Sequence, residues 1–227
     1  MSWRGGCMNY IKALPALDPL IQRAVYNGSM SRKRRILVGV DEAGRGPLAG
    51  PLAVGIVVLP RRYLKEFAQI RDSKKLTSAK RQIWFDKLRK ERKRGTLDFR
   101  VSCVGNAIID KKGISYAARC GIRRCLQRLE VSPAQSEILL DGLLYAPKKF
   151  LLQKTVIKGD ERVPIIALAS VAAKVVRDGK MTRLAKRFPQ YGFEIHKGYG
   201  TALHRKRILK HGPSPIHRRS FLKNFAK

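Results

Sequence analysis

Asp41 and Glu42 stand side by side, directly after the apolar run 36–40 and directly before Ala43-Gly44-Arg45-Gly46-Pro47, in a chain of net charge +33. Adjacent carboxylates repel each other, so a fold that gathers them needs a cation, a proton or a basic partner to offset the repulsion. Asp141 and Asp160 have the same setting, each at or just beyond the end of a short apolar run, 137–142 and 155–157. Acids are scarce, 16 against 49 Lys and Arg, so their recurrence at the ends of candidate strands is unlike charge decoration. A cluster of hard oxygen ligands suits Mg²⁺ or Mn²⁺, and no His or Cys pair stands at zinc-binding spacing. Two such ions activate a water and stabilise the leaving oxygen in phosphodiester hydrolysis. A solvated turn would explain the Asp41-Glu42 dipeptide taken alone. Successive side chains of a regular strand point to opposite faces, so these two share a metal site only if the strand bends, bulges or ends between them.

The charge excess narrows the partner. Such self-repulsion is relieved by a polyanion, and nucleic acid is the first choice. No apolar run approaches the roughly 20 residues that span a bilayer, so no membrane association is expected. Four cysteines without a paired spacing read as free thiols in a reducing cytoplasm, and Pro15, Asp18 and Pro19 interrupt any secretory-type apolar core. A non-catalytic RNA-binding or ribosome-associated protein would also explain the basic residues. It leaves the strand-end acids without purpose.

Elements that could position these acids follow from the apolar periodicity. Strands are expected at 36–40, 53–59, 97–104, 137–142 and 155–157, the last leading into Lys158-Gly159-Asp160. Helices are expected from Thr77 or Ser78 to about 92, over 114–129 with Ala117, Ala118, Gly121, Ile122, Cys125 and Leu126 on one stripe, and over 164–187, where Pro164 suits the first turn. Thr201 caps a further short helix that Gly212 and Pro213 end. The order fits an α/β fold, a mixed sheet flanked by helices, with 44% hydrophobic residues sufficient for a real core. Residues 1–35 read as an N-terminal extension, 36–200 as the catalytic domain and 201–227 as a basic helical segment completing the substrate groove. From Ile195 onward there is no acid and nine positive charges, Arg218 and Arg219 among them, expected to lie along phosphate. Lys74 and Lys75 precede a helix start, where they are placed to hold phosphate. Ser170 and Lys174 share a helical face, from which Lys174 reaches toward the acids or a phosphate. Asp178 reads as structural, and His196 and His204 as surface histidines.

The stretch from Val38 to Pro47 resembles the signature of ribonuclease HII, the type 2 ribonuclease H family. Further segments match in the same order: Asp72-Ser73-Lys74-Lys75-Leu76, Leu140-Asp141-Gly142, Lys158-Gly159-Asp160, Ala169 to Asp178, Phe188 to Phe193, His196-Lys197-Gly198-Tyr199-Gly200-Thr201 and His217-Arg218-Arg219-Ser220-Phe221. The resemblance implies a ribonuclease H-like mixed five-stranded sheet flanked by helices. It also implies a metal-dependent endonuclease that cuts the RNA strand of RNA–DNA hybrids and nicks 5′ of single ribonucleotides in duplex DNA, leaving 3′-hydroxyl and 5′-phosphate ends. By match, Asp41, Glu42, Asp141 and Asp160 are the catalytic and metal-binding acids, while Gly44, Arg45, Gly46 and Tyr199 read the ribose 2′-hydroxyl. The 2′-hydroxyl alone marks a ribonucleotide within DNA, and glycines allow the close backbone approach that reading it requires. A monomer is expected. A sliding-clamp partner is left open, since no clamp-binding peptide is visible after Phe221.

Overall fold

A strand that is apolar at nearly every position must be covered on both faces, and this requirement organises the molecule. The computed structural model describes residues 36–70 and 76–223; Lys74, Lys75 and the expected extension 1–35 lie outside them. Strands β1 (Ile36–Ala43) and β2 (Leu52–Pro60) are buried over almost their whole length. With β3 (Asp98–Val104), β4 (Ser136–Asp141) and β5 (Gln153–Val156) they form one sheet in the order β3-β2-β1-β4-β5. β1 pairs antiparallel with β2 and parallel with β4, so the sheet is mixed as expected. β3 adds antiparallel to β2, and β5 parallel to β4.

The helices are α1 (Ser78–Lys93), α2 (Asn106–Lys112), α3 (Ile114–Arg128), α4 (Gly159–Arg162), α5 (Pro164–Arg187), α6 (Phe193–His196) and α7 (Ala202–His211). The buried stripe of α3 covers one face of the sheet, packing with Val38, Val40, Val54 and Ile56. The apolar first half of α5, with Leu88 of α1, covers the other, against Leu37, Val57 and Leu59. Each fully buried aliphatic side chain contributes about 1.5–3 kcal/mol relative to exposure. Two strand glycines fix how closely α5 lies on the sheet. A Cβ at Gly39 would come within 2.2 Å of the Ile165 carbonyl oxygen, and one at Gly55 within 2.3 Å of that of Ala169. Only bare backbone at these positions lets α5 sit directly on β1 and β2, which brings its next residue, Ser170, to the end of β1. A third apolar cluster, Met181, Ala185, Tyr191, Phe193, Ile208 and Ile216, joins the second half of α5 to α6, α7 and the following segment.

Two expectations about the acids change. β1 does not end or bulge between Asp41 and Glu42: the ladder with β2 continues through Asp41↔Gly55, Glu42↔Val54 and Ala43↔Ala53. Their side chains therefore leave opposite faces of the sheet. Asp160 is not at a strand end, because β5 stops at Val156 and Asp160 lies in the single turn of α4. The helices α2, α4 and α6 were not expected from the sequence; at seven and four residues they are too short to display a 3.6-residue period.

Candidate active site

The parallel ladder between β1 and β4 ends at Val40↔Leu140, so Asp41 and Asp141 emerge together at the carboxyl ends of neighbouring central strands. This is where open α/β sheets place ligands. Asp41 is buried, 1% exposed. Its Oδ1 accepts the Glu42 backbone N–H at 2.7 Å, and the Ser170 hydroxyl, delivered by α5, stands beside the same carboxyl and favours its charged form. Burial pushes the Asp41 carboxyl well above its usual range; the Ser170 hydroxyl opposes that rise, while the charges of Asp141 and Glu42 add to it. Asp141 Oδ1 accepts the Gly159 N–H at 2.7 Å, which ties the end of β4 to the turn carrying the fully buried Asp160. Gly159 suits this turn because a Cβ there would lie 2.6 Å from Ile166 Cδ1. Glu42, on the other face, pairs with Arg45 at 3.3 Å.

Among the described residues no group of three or more His, Cys, Asp or Glu side chains stands arranged to hold a metal ion. The donor set nevertheless fits a hard divalent cation. Asp41 Oδ2 is buried with no hydrogen-bond partner, and two neighbouring carboxylates raise the energy of the ionised Asp41. A cation of the Mg²⁺ or Mn²⁺ type bound by these oxygens relieves both costs.

Beside the acids, the loop after β1 meets the turn containing Tyr199. Gly44 has φ +90°, and a Cβ there would lie 1.9 Å from Arg177 Nε, so the position admits only glycine. Arg45 and Gly46 are exposed. The Leu48 N–H donates to the Gly198 carbonyl at 2.8 Å, joining the two loops. The Tyr199 ring is 40% exposed, with Lys174 Nζ 5.4 Å and the Arg177 guanidinium 5.6 Å from its centroid. Lys174 also pairs with Asp178 at 3.1 Å, so Asp178 holds that lysine. Ser170 is buried against Asp41 rather than open to solvent.

Two sequence expectations fail here. His196 and His204 are buried, their rings stacked 4.2 Å apart, because Phe193 and Tyr191 draw α6 and α7 into the third apolar cluster. Arg218 does not lie along phosphate: it is fully buried and holds backbone carbonyls of the Gly44–Gly50 loop. Arg177, equally buried, was also missed. Its four-residue spacing from Ala173 and Met181 places it on a buried stripe of α5, which is the signal that could have found it.

The sequence pattern of ribonuclease HII matches residues 38–224. The chain belongs to the ribonuclease HII family. It is 43% identical over 193 residues to the ribonuclease HII of Caldicellulosiruptor saccharolyticus, covering 85% of this chain and 90% of that one. With the ribonuclease HII of Syntrophotalea carbinolica it shares 43% identity over 187 residues, 82% of this chain and 85% of the relative. The fold is similar to that of the enzyme in the PCNA:RNase HII complex from Archaeoglobus fulgidus, with TM-score 0.64, 25% identity, and coverage of 81% of this chain and 93% of that one. As a ribonuclease HII the protein is a hydrolase, a type 2 ribonuclease H that acts on RNA–DNA hybrids as a divalent-metal-dependent endonuclease. The non-catalytic alternative is not favoured.

Proposed function

We propose that the enzyme cuts the RNA strand of hybrids and nicks DNA duplexes 5′ of single embedded ribonucleotides, leaving 3′-hydroxyl and 5′-phosphate ends. Asp41, Glu42, Asp141 and Asp160 would hold Mg²⁺ or Mn²⁺, with Glu42 reaching in from the opposite face past the side of β1 left open where its ladder with β4 stops at Val40. The observation that carries this reading is the buried Asp41 carboxyl, with Oδ2 lacking a partner and its charge opposed by Asp141 and Glu42, at the end of the central strand. Divalent ions held there would supply activation of the attacking water and stabilisation of the leaving oxygen. The chain's residues do the rest. Ser170 and the Glu42 N–H orient the Asp41 carboxyl, and the Gly159 N–H orients that of Asp141. Gly44, Arg45 and Gly46 bring backbone to the ribose, and Tyr199 adds a hydroxyl for the 2′-oxygen and a ring for the neighbouring sugar. Lys174, beneath that ring, fits a backbone phosphate, as do Lys74 and Lys75. The exposed Arg205, Lys206 and Lys210 of α7, just beyond Tyr199, continue a basic surface along the duplex.

We further place the enzyme in the cytoplasm, as a monomer; free Cys103, Cys120 and Cys125 fit a reducing compartment. No described helix is long and apolar enough to cross a membrane. The test is cleavage of an end-labelled DNA duplex containing one ribonucleotide, with Mg²⁺ or Mn²⁺, by the intact protein, Asp41→Asn and Tyr199→Phe. A nick just 5′ of the ribonucleotide, abolished by the first change and weakened by the second, is expected. Binding without a metal-dependent cut would overturn the assignment.

A further inference from the structure

The loop that carries Arg45 and Gly46 is held from below by two buried cations. Arg218, fully buried, donates from Nη2 to the Gly44 carbonyl at 2.7 Å, from Nη1 to the Arg45 carbonyl at 2.9 Å and from Nε to the Gly50 carbonyl at 3.0 Å. Its own backbone N–H donates to the Leu48 carbonyl at 2.8 Å. Arg177 donates to the carbonyls of Pro51 at 3.0 Å and Lys197 at 3.1 Å. Burying two like charges together is costly. Burial and the Arg177 charge pull the Arg218 guanidinium down to about 9, which leaves it protonated at neutral pH. An apolar side chain would fill this space without that cost, so the fork geometry of the guanidinium must serve the loop.

Peptide planarity shows how. In a trans peptide the C=O and the N–H that follows it point in opposite directions, and the described chain has no cis bond. Drawing the Gly44 and Arg45 carbonyls onto one guanidinium therefore turns the next two N–H groups, those of Arg45 and Gly46, away from it, at two exposed residues. Successive N–H groups presented this way form a cradle for an oxygen with lone pairs, and a cation on the carbonyl side polarises both as donors.

We propose that Arg218 is a positioning residue for ribonucleotide recognition, orienting the Arg45 and Gly46 N–H groups as paired donors to the 2′-hydroxyl oxygen and the adjoining phosphate of the substrate strand. The assignment rests on the 2′-hydroxyl-reading role proposed above for Gly44, Arg45 and Gly46. Lysine at position 218 keeps the charge but has no fork to hold two carbonyls in register.

The test compares the wild type with Arg218→Lys and Arg218→Ala, each checked by circular dichroism. Metal-free affinity is measured for a DNA duplex with one ribonucleotide and for the all-DNA duplex, and amide exchange is followed at Arg45 and Gly46. In the wild type these two amides are expected to exchange rapidly and to become protected only with the ribonucleotide duplex. Arg218→Lys is expected to bring the ribo-to-deoxy affinity ratio about tenfold closer to one at unchanged all-DNA affinity, with kcat/KM on the single-ribonucleotide duplex falling in parallel. Methylguanidinium added to Arg218→Ala is expected to recover part of the ratio. An unchanged ratio in folded Arg218→Lys, or slow exchange at Arg45 and Gly46 in the free wild type, would overturn the role of Arg218. The absence of ribo-to-deoxy discrimination in the wild type would instead overturn the 2′-hydroxyl reading itself.

Discussion

The Ser170 hydroxyl stands beside the Asp41 carboxyl and works against the burial that disfavours the charged form. Groups that orient a metal-binding carboxylate typically change metal affinity or activity by about 10–100-fold when removed. Ser170→Ala is therefore expected to raise the Mg²⁺ concentration for half-maximal cleavage by roughly tenfold, with the folded state retained because the hydroxyl is all that is lost. A metal titration of activity checks this, and an unchanged midpoint would reduce Ser170 to packing. At this scale Asp41, Asp141 and the Gly44–Gly46 loop were legible, because carboxylates closing apolar strands and glycines before a proline are local signals, whereas the placements of Glu42 and Asp160 needed the fold. Arg177 and Arg218 were not. A buried arginine whose partners are carbonyls far away in sequence looks, in one dimension, like another basic surface residue.

At the scale of elements, the strands were legible because coverage on both faces makes them continuous apolar runs, and the long helices because they show a full period. What the sequence concealed is how the last elements are clasped. His217 accepts the Ser214 N–H at Nδ1, 2.9 Å, which leaves Nε2–H to donate to His204 Nε2 at 3.1 Å; His204 Nδ1–H then donates to the Tyr199 carbonyl at 2.9 Å. Beside them, His196 accepts the Gly198 N–H and donates to the Tyr191 carbonyl. This sequence of bonds requires neutral rings. Burial, and then neighbouring imidazoles, hold both His204 and His217 down to about 4, and burial lowers His196 as well. Arg207 disfavours the charged form of His196, while Glu194 favours it. Because the unfolded chain takes up these protons first, near pH 6.5, the contribution is complete above that pH and is lost as pH falls toward about 4. Stability is expected to drop by roughly 3 kcal/mol each for His204 and His217 across that window. Urea melts between pH 7 and 5 check it: His204→Asn, which keeps one donor toward Tyr199, should show a shallower pH slope than the wild type. Equal slopes would show that these rings do not control the clasp.

For the whole molecule, the net charge of +33 is the feature most legible in the sequence, yet its arrangement needed the fold. Several of the few acids are spent internally: Asp98 on Arg92, Glu137 on Arg61, Glu91 on Arg94 and Asp178 on Lys174. Asp41, Asp141 and Asp160 are gathered at or behind the strand ends. Helices α3 and α7 carry no acid and the second half of α5 only Asp178, while Arg123, Arg124, Lys186 and Lys206 are exposed on them. Affinity for a hybrid duplex should then be dominated by release of counterions from its phosphates. With six or more phosphates neutralised, binding is expected to weaken by about 10³-fold or more between 50 and 200 mM salt. Fluorescence anisotropy with the Asp41→Asn protein, in which cleavage is expected to be silenced, gives the slope of log Kd against log salt. A slope near that of two or three phosphates would mean that most of the charge lies away from the duplex. A steep slope, equal for hybrid and DNA duplexes, would assign affinity to the basic surface and leave selection of the ribonucleotide to the Gly44–Gly46 loop and Tyr199.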